Sequence, residues 1–246
     1  MEYVRPKIPE LPEIPEIPDF PELRDEAPAR PRQRPTLRGI VGGVVILFVK
    51  LAVLLVLPFF VLLRTSMYLY QSHDAPTWIA LAVGAVLALA VLTLYGAWVS
   101  KKLTGKGRVA FVAKWVALPL VLFYCGYALL YVASVNAKTQ QVRDYYTQVH
   151  PLLRLSVSTL ILADDDLVIT DLGRTPEDYF RMGLPVYEAS LHYTQPDGYV
   201  HAMDLRTAGR SEWRNLLTQS YFRALGFRTL RHVGTADHLH VSLPVR

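Results

Sequence analysis

The stretch Ser190-Leu191-His192-Tyr193-Thr194-Gln195-Pro196-Asp197-Gly198-Tyr199-Val200-His201-Ala202-Met203-Asp204 is answered near the C-terminus by Asp237-His238-Leu239-His240. Together the two segments hold four of the seven histidines in the chain. Imidazole and carboxylate are the ligand groups of catalytic zinc sites, where three protein ligands leave a fourth position open. Asp237 stands three residues before His240, so an acid lies close to the last such ligand, where a base is needed. Residues 200–205 and 238–243 read as strands, and Pro196-Asp197-Gly198 is a strong turn signal. These residues point to a metal-dependent hydrolase.

Working outward, residues 136–246 have the character of one compact domain, and about 110 residues suffice for one. Residues 137–150 read as a helix stopped by Pro151, and 152–162 as helix or strand. Asp164-Asp165-Asp166 reads as a solvated turn, and 167–170 as a short β-branched strand. Thr175-Pro176-Glu177-Asp178 has the form of a helix start, with a Thr cap, Pro at the first position and acids in the first turn. Residues 211–225 form an amphipathic pattern ended by Gly226. The mixed order predicts an α+β domain with a small antiparallel sheet.

From about Leu167 to the end, the chain resembles the M15 family of zinc D-Ala-D-Ala peptidases and the related peptidoglycan endopeptidases. Asp171-Leu172-Gly173-Arg174-Thr175 stands where that family has a Ser-Gly-Tyr-Arg-Thr-like turn. Ser190, His192, Gly198, Ala202 and Asp204 match its Ser-x-His…Gly…Ala-x-Asp segment, and Asp237 and His240 its acid-x-x-His pattern. The resemblance implies that His192, Asp204 and His240 hold Zn²⁺, that Asp237 is the general base, and that Arg174 stabilises the oxyanion. It departs from the family in two places. Eleven residues separate His192 from Asp204, more than the family pattern has, which makes His201 a competitor for the first ligand position. Alternation argues against His201, because Ala202 and Asp204 share a strand face that His201 does not. The second departure is Asp237, where many relatives carry the longer Glu. His238 is read as pointing away and structural, His150 and His232 as surface or supporting residues, and Tyr179, Tyr187 and Tyr193 as packing.

The rest of the chain reads as a membrane anchor. Of 246 residues, 52% are hydrophobic, and the mean hydropathy is positive. Between residues 39 and 135 the only carboxylate is Asp74. Three apolar runs, about 39–63, 77–99 and 111–135, each reach the ~20 residues a helix needs to cross the hydrocarbon core. Arg30, Arg32, Arg34 and Arg38 precede the first run, and Lys101, Lys102, Lys106 and Arg108 separate the second from the third. By the positive-inside rule the N-terminus is cytoplasmic and residues 136–246 lie outside the cytoplasm. Lys50 falls inside the first run, where a charge is costly and is either a functional-site candidate or a side chain that snorkels or faces the other helices; Pro58 and Pro119 read as kinks. Basic residues are not interleaved with aromatics on one soluble face, so the net charge of +5 does not indicate nucleic acid. One cysteine, Cys125, rules out an intramolecular disulfide.

Residues 1–38 form a proline-rich arm. From Ile8 to Glu22 a triplet repeats, Ile8-Pro9-Glu10 to Phe20-Pro21-Glu22. Prolines at this density exclude helix and sheet, and the three-residue turn of polyproline II puts apolar, proline and acidic groups on separate edges. The arm is either a stiff spacer or a ligand for a cytoplasmic protein with an aromatic, basic groove. The combined expectation is a multi-pass protein of the bacterial inner membrane with a periplasmic zinc peptidase acting on peptidoglycan peptides. The alternative is a degenerate, non-catalytic module that binds peptidoglycan or a partner.

Overall fold

The structure is a computed structural model that describes residues 37–181, 183, 185–187, 189–234 and 237–244, without the side chains of residues 37–40, 47–52 and 55. The proline-rich arm and the Lys50 side chain lie outside the described residues. The chain divides into two compact units, Met1–Val45 and Ile46–Arg246. Helix α1 (Leu37–Ser72) contains Pro58, α2 spans Thr77–Thr104, and a third helical stretch covers Val109–Leu130. Among the described residues the last two are the helices long and apolar enough to cross a membrane.

The third stretch is interrupted. Helix α3 (Val109–Val112) runs into a π-helical turn (Ala113–Ala117) and then α4 (Leu118–Leu130). Pro119 sits just past the π turn. It has no N–H to give, and a wider turn is one way a helix accommodates that defect. The third run was expected to stay helical to residue 135, but α4 stops at Leu130 and Tyr131 is extended. The last carbonyls of a helix have no partner within it, and here the following segment supplies them. The hydroxyl of Tyr146 donates to Ala128 O at 2.7 Å, and Arg154 donates to Leu129 O at 2.5 Å.

Helices α1 and α2 approach closely. Ser66 Oγ donates to Leu62 O within α1 and lies 3.1 Å from Ala80 O of α2. A β-carbon on Gly84 would stand 2.3 Å from Ser66 Oγ and 2.5 Å from Leu62 O, so only glycine fits that crossing.

Beyond the third stretch come α5 (Gln140–Tyr145) with a 3₁₀ turn at Tyr146–Gln148, then α6 (Pro151–Ala163). The single helix expected over 137–150 is thus two short pieces. Residues 152–162 are helical, started by Pro151 and capped by the His150 ring, which accepts the N–H of Leu152. Leu152, Leu153, Leu155 and Val157 are fully buried in one continuous core that also holds Leu62, Met67, Tyr124, Met203, Phe222 and Val241. Cutting the chain before α6 would therefore bare an apolar face in both pieces. Asp165 and Asp166 form the expected exposed turn, but two of its three acids are also paired: Asp164 with Arg210 and Arg214, and Asp166 with Arg214 at 2.6 Å.

The sheet is antiparallel in the order β1-β2-β4-β3. Its strands are β1 (Ile169–Asp171), β2 (Ala202–Arg206), β3 (Arg228–His232) and β4 (His238–Ser242). Helix α7 (Pro176–Arg181) follows β1, with Thr175 N–H donating to Asp178 Oδ2 at its start. Helix α8 (Glu212–Leu225) is capped by Ser211 and ended by Gly226 in the left-handed region, φ 108°. Alternation divides the two central strands. Met203, Leu205, Leu239 and Val241 enter the core, and Ala202, Asp204, His238 and His240 share the other face. The end of α1 touches the domain as well, because the Gln71 amide donates to Gly226 O at 2.9 Å.

Candidate metal centre

Asp204 on β2 and His240 on β4 are direct cross-strand partners. Side chains so paired stand on one face within reach of each other, and His240 Nδ1 lies 2.9 Å from Asp204 Oδ1. The third member, His192, comes from the loop before β2. Its N–H donates to Ser190 Oγ, which also accepts the hydroxyl of buried Tyr179 at 2.8 Å. Its carbonyl accepts the N–H of Arg174 at 3.0 Å. The ring is then fixed by Nδ1, which contacts the carbonyl oxygen of Leu172. A carbonyl only accepts, so Nδ1 carries a proton, and Nε2 is the nitrogen left free to offer a lone pair to a metal. That nitrogen stands 3.3 Å from His240 Nδ1 and 3.5 Å from Asp204 Oδ1.

These distances fit a metal ion. A tetrahedral zinc with bonds of about 2.0–2.1 Å sets its ligand atoms roughly 3.3–3.4 Å apart, and two of the three edges match. The third, His240 to Asp204, is at hydrogen-bond length. An imidazole whose other nitrogen donates to a carbonyl is the usual support of a metal-ligating histidine. His192 and Asp204 are buried, whereas the His240 side chain is 24% exposed, so the centre opens to solvent on one side.

Arg174 and Asp171 complete the surroundings. A β-bulge between Ile169 and Asp171 brings Asp171 opposite Asp204. Arg174 bridges the two carboxylates, with Nε 2.5 Å from Asp171 Oδ2 and Nη2 2.9 Å from Asp204 Oδ2. Asp204 therefore gives one oxygen to arginine and the other to the imidazoles. Burial pushes its pKa up, but contact with His192 and His240 outweighs that and holds it well below the ordinary carboxylate range. For Arg174 burial pulls downward, and Asp171 and Asp204 reverse it, so the guanidinium is held more firmly protonated. A cavity of about 220 Å³ lined by Lys138, Tyr145, Asp171 and Arg174 adjoins this bridge.

The structure thus brings together His192, Asp204, His240 and Arg174, but Asp237 is not among the converging ligand atoms. Asp237 Oδ1 accepts from Thr207 Oγ1 at 2.6 Å and from Arg231 Nε at 2.9 Å, while Oδ2 accepts from Arg231 Nη2 at 3.1 Å. Arg231 and Thr207 lower its pKa, which weakens it as a base. His238 was read as pointing away, and this is corrected. Residues two apart on a strand share a face, and His238 Nε2 lies 3.8 Å from Asp204 Oδ2. Its ring stacks on His232 of β3, with centroids 4.6 Å apart.

His201 belongs to a separate group with His150 and Asp197, so the longer loop returns to the sheet without replacing His192. His150, read as a surface or supporting residue, is fully buried. Tyr179 and Tyr193 pack edge to face, with centroids 5.7 Å apart, and Tyr187 is exposed. Sequence reasoning missed the Asp171–Arg174 pair, although its i,i+3 spacing was visible. The Leu172 carbonyl and the Arg231–Asp237 pair left no signal in the sequence. No family model matches the chain, and no match was found among curated proteins or solved structures.

Proposed function

We propose that this chain is a membrane-anchored, zinc-dependent peptidase acting on peptidoglycan peptides. The observation that carries the reading is the orientation of His192. Its Nδ1 proton is spent on Leu172 O, and its Nε2 is turned to Asp204 and His240. The resemblance of Arg174, Ser190, His192, Asp204 and His240 to the zinc D-Ala-D-Ala peptidase pattern supplies the substrate class.

An ion held by His192, Asp204 and His240 supplies Lewis-acid activation of water and of a peptide carbonyl. The residues of the chain do the rest. Arg174 fixes Asp204 against the imidazoles, and its charge lies next to the place where negative charge develops on a substrate carbonyl oxygen. His238, on the ligand face, takes the proton of the attacking water at Nε2 and returns it to the leaving amine. Asp237, bonded through both oxygens, holds Arg231 and Thr207 at the entry to β4.

The membrane part of the proposal has α1 join α2 and the Val109–Leu130 stretch as a third span. Flanking lysines and arginines then place the N-terminus in the cytoplasm and the sheet in the periplasm. Asp237's engagement with Arg231 favours a second reading, a module that binds peptidoglycan without cutting it.

The test uses the full chain purified in detergent. Zinc per chain, by elemental analysis, is expected near one in the unmutated protein and in His201→Ala, and near zero in His192→Ala. Cleavage of peptidoglycan peptides, abolished by chelator and restored by zinc, supports the peptidase. Stoichiometric zinc without cleavage supports the binding module, and absence of zinc from the unmutated chain sinks the peptidase and leaves the binding module as the better account.

A further inference from the structure

A second cluster lies outside the metal centre. His150 and His201 are buried, and Asp197 reaches both. Asp197 Oδ2 is 2.8 Å from His201 Nε2 and 3.8 Å from His150 Nε2, and its Oδ1 accepts the N–H of Tyr199 at 3.1 Å. His150 Nδ1 accepts the N–H of Leu152 at 3.3 Å. A neutral imidazole with that nitrogen bare carries its proton on Nε2, which faces Thr77 Oγ1 at 3.0 Å. Nε2 is then a donor and not a metal ligand. The cluster is a carboxylate braced by N–H groups, and it lacks the carbonyl-supported ligand seen at His192.

The braced carboxylate lines a cavity of about 480 Å³ together with Tyr70, Thr77, Trp78, Tyr199 and His201. No lysine or arginine is among the residues that line it. Trp78 is 54% exposed and the Asp197 side chain 37%, so the cavity is open to a ligand. Aromatic faces attract organic cations through the ring quadrupole, and a carboxylate adds a charge-assisted hydrogen bond to an ammonium N–H.

The geometry points to a binding site for an organic ammonium group, with Asp197 as its counter-charge and Tyr70, Trp78 and Tyr199 as its walls. Thr77 and Trp78 are the first two residues of α2. If α2 is a membrane span, as proposed above, the cavity lies at the level of lipid headgroups. The ammonium then comes either from a lipid headgroup or from a soluble amine. The site joins the α1–α2 turn to the 195–201 loop, the segment that makes the His192-to-Asp204 spacing long. It does not depend on zinc or on peptidase activity.

The test uses the full chain in detergent, with tetramethylammonium and ethanolamine as probes in equilibrium dialysis. Saturable binding of either probe is expected. Asp197→Asn should weaken it about tenfold or more, since a hydrogen bond to a charged group is lost. Trp78→Leu should weaken it about threefold, from the lost cation–π contact. Zinc per chain and melting midpoint serve as controls that each variant is folded. In nanodiscs, retention of phosphatidylethanolamine over phosphatidylglycerol that disappears in Asp197→Asn identifies the lipid headgroup. Saturable binding of the soluble amine with no lipid preference identifies a soluble amine. The proposal is overturned if neither probe binds, or if Asp197→Asn binds both as well as the unmutated chain. It is also overturned if zinc bound to His192→Ala is released by His201→Ala, since the cluster is then a metal site.

Discussion

His192 donates its Nδ1 proton to the carbonyl oxygen of Leu172, two residues before Arg174, whose own N–H donates back to the His192 carbonyl. The two segments therefore fix each other, and the imidazole that faces Asp204 and His240 cannot turn without losing its contact to the Leu172 carbonyl. Reaching the Leu172 carbonyl requires the turn after β1 to lie beneath the ring. That is why the Asp171–Thr175 segment and the His192 loop act as one piece.

The first prediction separates the two candidate proton acceptors. His238→Gln should keep zinc and lower cleavage by about 10²-fold or more, the usual contribution of a positioned acid–base group. Asp237→Asn keeps two acceptor lone pairs for Thr207 and Arg231 and should lower cleavage far less. Rates measured at equal zinc occupancy check this, and a larger loss for Asp237→Asn would restore it as the base.

The second prediction concerns the carboxylate bridge. Arg174→Lys keeps a positive charge but cannot span Asp171 and Asp204 as a guanidinium fork does. Zinc affinity should fall by about 10- to 100-fold, the range for losing a residue that orients a ligand. Competition with a chromophoric chelator measures it. Unchanged affinity would mean that Asp204 is held by the imidazoles alone.

Acid stability gives the third prediction. The folded pKa of Asp204 lies below its unfolded value, about 3.9 for an ordinary aspartate. Its contribution is therefore complete above the unfolded pKa and is lost as pH falls through the folded one. In chelator-treated full chain, the melting-midpoint gap between the unmutated protein and Asp204→Asn should be constant near pH 6 and narrow below about pH 4. A gap independent of pH down to 3 would contradict the assignment.

The fourth prediction tests the helix crossing. Gly84→Ala places a methyl 2.3 Å from Ser66 Oγ and 2.5 Å from Leu62 O. Overpacking of this kind costs about 1–3 kcal/mol. Adding Ser66→Gly should not rescue the melting midpoint, because the Leu62 carbonyl is backbone and stays in place. Full rescue would show that the serine alone sets the crossing.

Much of this architecture is legible in local signals. Ser211 and Gly226 bound α8 where capping rules put them, and the apolar runs gave α2 and the third helical stretch. The alternation of Ala202 and Asp204 against His201 placed His201 off the ligand face, and the structure has His192 beside Asp204 instead. The same rule, applied to His238, would have put it on the ligand face, so that residue was readable and misread. Strand β3 was missed for a physical reason. It is an edge strand with Arg228, Leu230 and His232 exposed, and without a buried face it has no apolar period to detect.

What the sequence determined by itself is periodicity and chemistry: which residues start and stop elements, which alternate, and which carry imidazole, carboxylate or guanidinium. Those properties are local, set by backbone sterics and by side chains within a few positions. Tertiary structure alone decided the partners. Asp237 meets Arg231 and Thr207, His150 meets Thr77, α4 ends where Tyr146 and Arg154 take its last carbonyls, and His192 turns on a carbonyl twenty residues away. A buried hydrogen-bonding group is satisfied by whatever the packed chain brings to it, and no spacing in the sequence encodes that encounter.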